Sequence, residues 1–135
     1  MYGRVPVFPN LTHVELVFQR NVDWCWVFGV LEKFPKLQIL VLEMPQPLTS
    51  VRSHISIPNI SPECLSSQFK ECTITNYGGQ KYELQFAQYI MLNSTNLQRM
   101  TIYSSSSMNH EEKLAMQMEL LSFPRSSASC QIYFK

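Results

Sequence analysis

The spacing of apolar residues in "FPNLTHVELVF" (8–18) constrains this chain more than any other feature: Leu11, Val14 and Leu16 stand at offsets of three and then two. A helix repeats its apolar side every three to four residues and a strand every two, so neither alone produces the pattern. It recurs. "FPKLQILVLEM" (34–44) sets Leu37, Leu40 and Leu42 in the same places, "SSQFKECTITN" (66–76) sets Phe69, Cys72 and Ile74, and "STNLQRMTIYS" (94–104) sets Leu97, Met100 and Ile102. "CQIYF" (130–134) offers a truncated fifth copy through Cys130 and Ile132. The intervals between equivalent positions are then 26, 32, 28 and 30 residues. Chance aligns two such copies easily and five ordered copies rarely.

Each copy reads as one short strand. Val14 and Leu16 point to one face, and His13, Glu15 and Val17 to the other, because side chains alternate along a strand. The earlier Leu11 is expected to enter the same core from the preceding turn. One such unit cannot cover its own apolar face, so neighbours must stack and share an interior. The period lies at or just above the ~20–29 residues of leucine-rich repeats, whose strand motif is L-x-x-L-x-L. The expected fold is therefore α/β: a leucine-rich-repeat-like solenoid of about five short parallel strands, with helices or loops on the convex side.

The connecting segments suit crossovers. In 21–34, Trp24, Val27, Phe28, Leu31 and Phe34 fall on one helical face, with Asp23 as N-cap and Pro35 as stop. Trp26, off that face, is expected to be partly exposed. In 80–93, Tyr82, Phe86, Tyr89 and Ile90 share a stripe. In 109–124, Asn109 stands three residues ahead of Glu112, a capping-box spacing, with Leu114, Met118 and Leu121 as the buried stripe and Pro124 as stop. The second connection, 45–65, holds Pro45, Pro47, Pro58 and Pro62 and reads as an extended loop, with a short turn over 62–66. The Asn or Cys that often orders the turn after such a strand is absent; Gln19, Pro45, Tyr77 and Ser105 stand there instead. The turns need another source of order.

Composition narrows the function. At 135 residues the chain is the size of one domain. Charged residues make up 16% and apolar ones 45%, so disorder does not follow from composition. A net charge of +1 argues against nucleic acid and against an anionic membrane surface. No apolar run approaches the ~20 residues that span a bilayer. The opening "MYGRVPVFPN" lacks the layout of a signal peptide, so a cytoplasmic or nuclear location is expected. Cys25, Cys64, Cys72 and Cys130 contain no C-x-x-C pair and read as buried, reduced thiols.

Catalytic constellations are not found. His13, His54 and His110 are scattered, with no ligand spacing to one another or to a cysteine. Cys72 and Cys130 occupy inward positions, where burial outweighs nucleophilic reactivity. Glu111 and Glu112 suit the first turn of a helix as they stand. "YGGQK" (77–81) joins strand to helix and matches neither a P-loop nor a dinucleotide-binding loop; a tight turn explains it. No cofactor and no metal are expected, and a small hydrolase or transferase remains only as the alternative of another class.

The middle of the chain resembles a known family. "PECLSSQFKECTITNYGG" (62–79) followed by "YELQFAQYIMLNSTNLQRMTI" (82–102) resembles the FBD segment of plant F-box proteins with leucine-rich repeats. The resemblance rests on Pro62, Cys64, Leu65, Ile74, Tyr77, Gly78, Glu83, Phe86, Tyr89, Ile90, the Asn93–Leu97 turn and Met100. It implies one domain, 1–135: two ordinary repeats over 1–44, the loop 45–65, and an FBD-like segment over 66–135. In that family the F-box binds a Skp1-type adaptor of a cullin ubiquitin ligase, and the repeats hold a substrate or ligand. The first repeat begins within ten residues of Met1, so no F-box is expected here, and no direct adaptor binding.

The leading expectation is a protein-interaction module resembling the substrate-recognition region of such a ligase subunit. A truncated, non-functional fragment of a longer protein is the alternative. The expected binding face comprises three outward columns: His13, Ile39, Glu71, Arg99 and Ser129; Glu15, Val41, Thr73, Thr101 and Gln131; Val17, Glu43, Thr75, Tyr103 and Tyr133. Tyr103, Tyr133 and Arg99 are of the types that dominate binding energy. Glu71 and Arg99 are expected to form a surface ion pair. The first strand's open edge makes self-association the further expectation.

Overall fold

A computed structural model describes residues 6–18, 24–45 and 63–135. Five strands form one parallel sheet in the order β1-β2-β3-β4-β5, the order of the chain itself. They are β1 (His13–Val17), β2 (Ile39–Glu43), β3 (Glu71–Tyr77), β4 (Arg99–Ser104) and β5 (Gln131–Phe134). Between them run α1 (Trp24–Leu31), α2 (Glu63–Ser67), α3 (Lys81–Asn93) and α4 (His110–Ser122).

The register follows the sequence repeat through four strands. Val14 pairs with Leu40, Leu40 with Cys72 and Cys72 with Met100; Leu16, Leu42, Ile74 and Ile102 align one step along. Val14, Leu40, Cys72 and Met100 are all buried, in one continuous core with the inner faces of the helices. The fifth strand corrects the expectation. Met100 pairs with Ile132 and Ile102 with Phe134, so β5 lies two residues beyond the alignment through Cys130. Cys130 is buried ahead of the strand. A slip of two preserves which residues face inward, which is why both alignments satisfy the apolar pattern.

Backbone hydrogen bonds carry the stack from one copy to the next. The Thr12 carbonyl accepts from Gln38 N and Ile39 N at 2.8 and 2.9 Å. The Gln38 carbonyl accepts from Lys70 N and Glu71 N, and the Lys70 carbonyl from Gln98 N and Arg99 N. At the far ends of the strands, Phe18 N donates to Glu43 O, Met44 N to Thr75 O and Ser105 N to Tyr77 O. The Asn76 amide adds a bond to Met44 O at 3.0 Å, from a left-handed backbone at φ 56°. These bonds order the turns that lack the usual Asn or Cys.

The helices match the expected faces in part. Val27, Phe28, Leu31 and Phe34 are buried, although α1 stops at Leu31, ahead of Pro35. The Asp23 cap, Gln19, His54 and the loop over 46–62 lie outside the described residues, as do the side chains of Trp24 and Trp26. α3 buries Tyr82, Phe86, Tyr89 and Ile90, with Phe28 edge-on to Tyr89 at 4.9 Å between centroids. α4 starts at the Asn109 cap, whose Oδ1 accepts from Glu112 N at 2.8 Å while Glu112 returns a carboxylate to Asn109 N at 2.9 Å.

Two apolar expectations fail. α4 buries Met116 and Leu120, and Leu114, Met118 and Leu121 face solvent, Met118 at 73% exposure. The helix offers two apolar stripes, and the one that meets the core contains fewer leucines. Leu11 is 40% exposed, whereas its equivalents Leu37, Phe69 and Leu97 are fully buried. Leu11 leads into β1, the first strand of the sheet, whereas the latter three lead into strands that have a copy before them.

Candidate functional site

The face of the sheet away from the helices is open. On it stand His13, Glu15 and Val17 from β1, Ile39, Val41 and Glu43 from β2, and Glu71, Thr73 and Thr75 from β3. Arg99, Thr101 and Tyr103 follow from β4, then Gln131 and Tyr133 from β5. Parallel strands in register set these residues in rows, so each row is one position repeated across the sheet. His13, Ile39, Glu71 and Arg99 form the first row, and Gln131, not Ser129, completes it. Glu15, Val41, Thr73 and Thr101 form the second, completed by Tyr133 rather than Gln131. In the third, Val17, Glu43 and Thr75 align, and a register shift after Ile74 carries β3 out of step with β4 near Tyr103.

Exposure sorts these residues. His13, Glu15, Val17, Glu43, Arg99, Tyr103, Gln131 and Tyr133 are exposed, and Ile39, Val41, Glu71, Thr73 and Thr75 are half-buried between neighbours. Thr101 departs from the expectation: at 7% exposure it is buried. Its partner on β5 is Tyr133, and the Arg99 guanidinium lies over the Tyr133 ring at 5.7 Å. Two large side chains thus roof a small one. Thr101 shapes the face from beneath.

Polar contacts tie the β3–β5 end together. Arg99 Nη1 stands 3.6 Å from Glu71 Oε1, the expected cross-strand pair, and on its other side stacks on Tyr133. The Tyr133 hydroxyl donates to Gln131 Oε1. Glu71, Arg99, Tyr133 and Gln131 therefore form one chain of contacts across three strands. At the other end His13 Nε2 lies 3.1 Å from Glu15 Oε2, along a single strand. The exposed ion pairs contribute little to stability, of order 0–1 kcal/mol, but they fix side-chain directions. Thr75 Oγ1 donates to Leu42 O at 3.4 Å and so faces β2.

One group that the sequence reading did not single out for chemistry lies in the turn from β3 to α3. Glu83, in the first turn of α3, is 2% exposed. Its Oε1 accepts from Gln80 N at 2.8 Å, and both oxygens accept from Gly78 N at 3.2 and 3.4 Å. The carboxylate holds together the turn from β3 to α3, where Gly79 adopts φ 76°. Burial pushes its pKa up to about 7 against the opposing pull of the backbone donors. The signal was present: an acid three residues after the helix cap, behind "YGG".

Among the described residues the thiols are not set up as nucleophiles. Burial, with Cys130 nearby, pushes the Cys72 thiol up to about 12, so it stays protonated at neutral pH. Cys72 and Cys130 are free and buried, and Cys64 is buried. Among the described residues no group of three or more His, Cys, Asp or Glu could hold a metal ion, and no helix is long and apolar enough to cross a membrane.

Comparison with known proteins adds kinship to this geometry. The FBD family model matches residues 57–102, from the end of the proline-rich connection to the second core residue of β4. A putative FBD-associated F-box protein of Arabidopsis thaliana is 30% identical over 93% of this chain and 31% of its own length. A putative F-box/FBD/LRR-repeat protein of the same plant is 30% identical over 99% of the chain and 34% of its own length. A further F-box/FBD/LRR-repeat protein is 29% identical over 95% and 28%. The chain thus spans about a third of the length of these relatives. No solved structure matches it.

Proposed function

Because this chain carries an FBD segment and is kin along most of its length to plant F-box/FBD/LRR-repeat proteins, we propose that it is a protein-interaction module, not an enzyme. It acts as a repeat solenoid: two ordinary repeats over 1–44, the connection 45–65 and the FBD-like part 66–135 form one stack. The open strand face binds a protein substrate or ligand, as the recognition part of a ubiquitin-ligase receptor does. Adaptor binding is assigned to an F-box and not to these repeats. Two buried, free thiols, Cys72 and Cys130, suit a reducing compartment, cytoplasm or nucleus.

The observation that carries this reading is the regular presentation of outward residues on parallel strands. Tyr103, Tyr133 and Arg99 are exposed on the β4–β5 half of the sheet, where contacts with Glu71 and Gln131 already hold Arg99 and Tyr133. Rigid aromatic and guanidinium groups lose little entropy on binding and dominate interface energetics. Replacing Tyr103 and Tyr133 together by alanine is expected to weaken capture of a partner protein at least tenfold while the circular-dichroism melt stays within a few degrees of the unaltered chain. Undiminished capture removes this face from consideration.

A further inference from the structure

The open face is polarised along the stack. The outward positions of β1, β2 and β3 carry Glu15, Glu43 and Glu71 and no Lys or Arg. Those of β4 and β5 carry Arg99 with Tyr103, Gln131 and Tyr133, and Lys135 continues β5 just beyond its last residue. Glu71 and Arg99 neutralise one another at the seam, 3.6 Å apart. What remains is an acidic end, where His13 Nε2 lies 3.1 Å from Glu15, and a basic, aromatic end. Among the described residues neither Glu43 nor Lys135 has an ion-pair partner. Between the ends lies an uncharged floor of Val41, Thr73 and Thr75, with Thr101 sunk beneath.

Resting on the reading of this face as a protein-binding surface, we infer that its ligand is an extended segment of a partner protein laid across the strands. The segment places a Lys or Arg over β1–β2 and an Asp or Glu over β4–β5. Strands lie about 4.8 Å apart, so the two ends are separated by three spacings, about 14 Å. An extended chain rises about 3.3 Å per residue, which sets the opposite charges about four residues apart. The residues between them are small or apolar, to lie on the valine and threonine floor. The Glu15 and Glu43 carboxylates, on adjacent strands in diagonal register beside Val17 and Val41, receive the cation. Lys135, with no ion-pair partner among the described residues, receives the carboxylate, and Arg99, shared with Glu71 and braced on Tyr133, is a second donor. Charges arranged this way select among partners by the order of their charges, since a like-charged end is repelled.

A random decapeptide display library tests the inference, selected on the immobilised full chain and on three variants whose fold is checked by circular dichroism. The variants are Tyr103→Ala/Tyr133→Ala, Glu15→Lys/Glu43→Lys, and Arg99→Gln/Lys135→Gln. The unaltered chain is expected to enrich peptides with a basic and an acidic residue about four positions apart, and each charge variant to weaken them about tenfold. Glu15→Lys/Glu43→Lys is further expected to enrich peptides acidic at both positions. Enriched peptides that need the tyrosines but show no charge order, or that ignore the charge reversal, overturn the inference and leave the interaction reading standing. No enrichment, or enrichment untouched by the tyrosine variant, overturns both.

Discussion

Glu83 shows how one side chain sets a solution property of the whole chain. Buried, it holds a proton up to about pH 7, whereas the unfolded chain releases it near 4.5. Between those values the folded state binds more protons, so stability is greatest at the acid end and falls as pH rises through 7. The difference of about 2.5 units corresponds to at most ~3 kcal/mol. Urea melts at pH 5 and pH 8 are expected to show this loss, and Glu83→Gln, which keeps an acceptor and removes the charge, is expected to flatten it. Asn76 is the second such residue, joining a positive φ to a bond on Met44 O. Asn76→Ala is expected to cost about 1–3 kcal/mol, and Asn76→Gly, which tolerates the φ, about 1 kcal/mol less than that. Chemical denaturation of the two variants separates backbone strain from the lost bond. The Glu83 cap left a trace in the spacing of "YGGQKYE", whereas the Asn76 role depends on a turn geometry that only the folded backbone supplies.

At the scale of elements, the strands were legible and one helix face was not. Val14, Leu40, Cys72 and Met100 were placed on neighbouring strands by spacing alone, because the apolar residue three positions ahead of each (Leu11, Leu37, Phe69, Leu97) removes the slip of two that a two-residue alternation permits. The fifth strand escaped because Cys130 and Ile132 satisfy the same alternation as Ile132 and Phe134. α4 escaped because Leu114, Met116, Met118, Leu120 and Leu121 supply two stripes, and hydrophobicity does not decide which one meets a neighbour. The corrected face makes a sharp forecast. Leu120→Ala is expected to cost about 2–5 kcal/mol, while Met118→Gln on the exposed stripe changes stability by less than ~0.5 kcal/mol. Thermal melts of the two proteins decide between the stripes.

Among the described residues the sheet's sequential order leaves β1 at an edge, bordered by exposed Val7, Leu11 and Val17, with Phe8 partly covered by its stacking on Phe34. Unpaired edge groups beside apolar side chains favour strand-to-strand association. Light scattering is expected to show the average mass rising with concentration, and Val17→Lys to suppress the rise; a constant mass at high concentration would count against it. The kinship to F-box/FBD/LRR-repeat proteins was also legible, through "YGG" and the α3 stripe.

The forked carbonyls of Thr12, Gln38 and Lys70 ask nothing of the side chains around them. A crossover can therefore grow or shrink, as these do from 26 to 32 residues per copy, without disturbing the rungs on either side. Descendants of such a gene are free to vary length on the helical side while the spacing of the outward rows stays fixed. The amide protons of Ile39, Glu71 and Arg99, clamped at those forks, should accordingly be among the last to trade for deuterium.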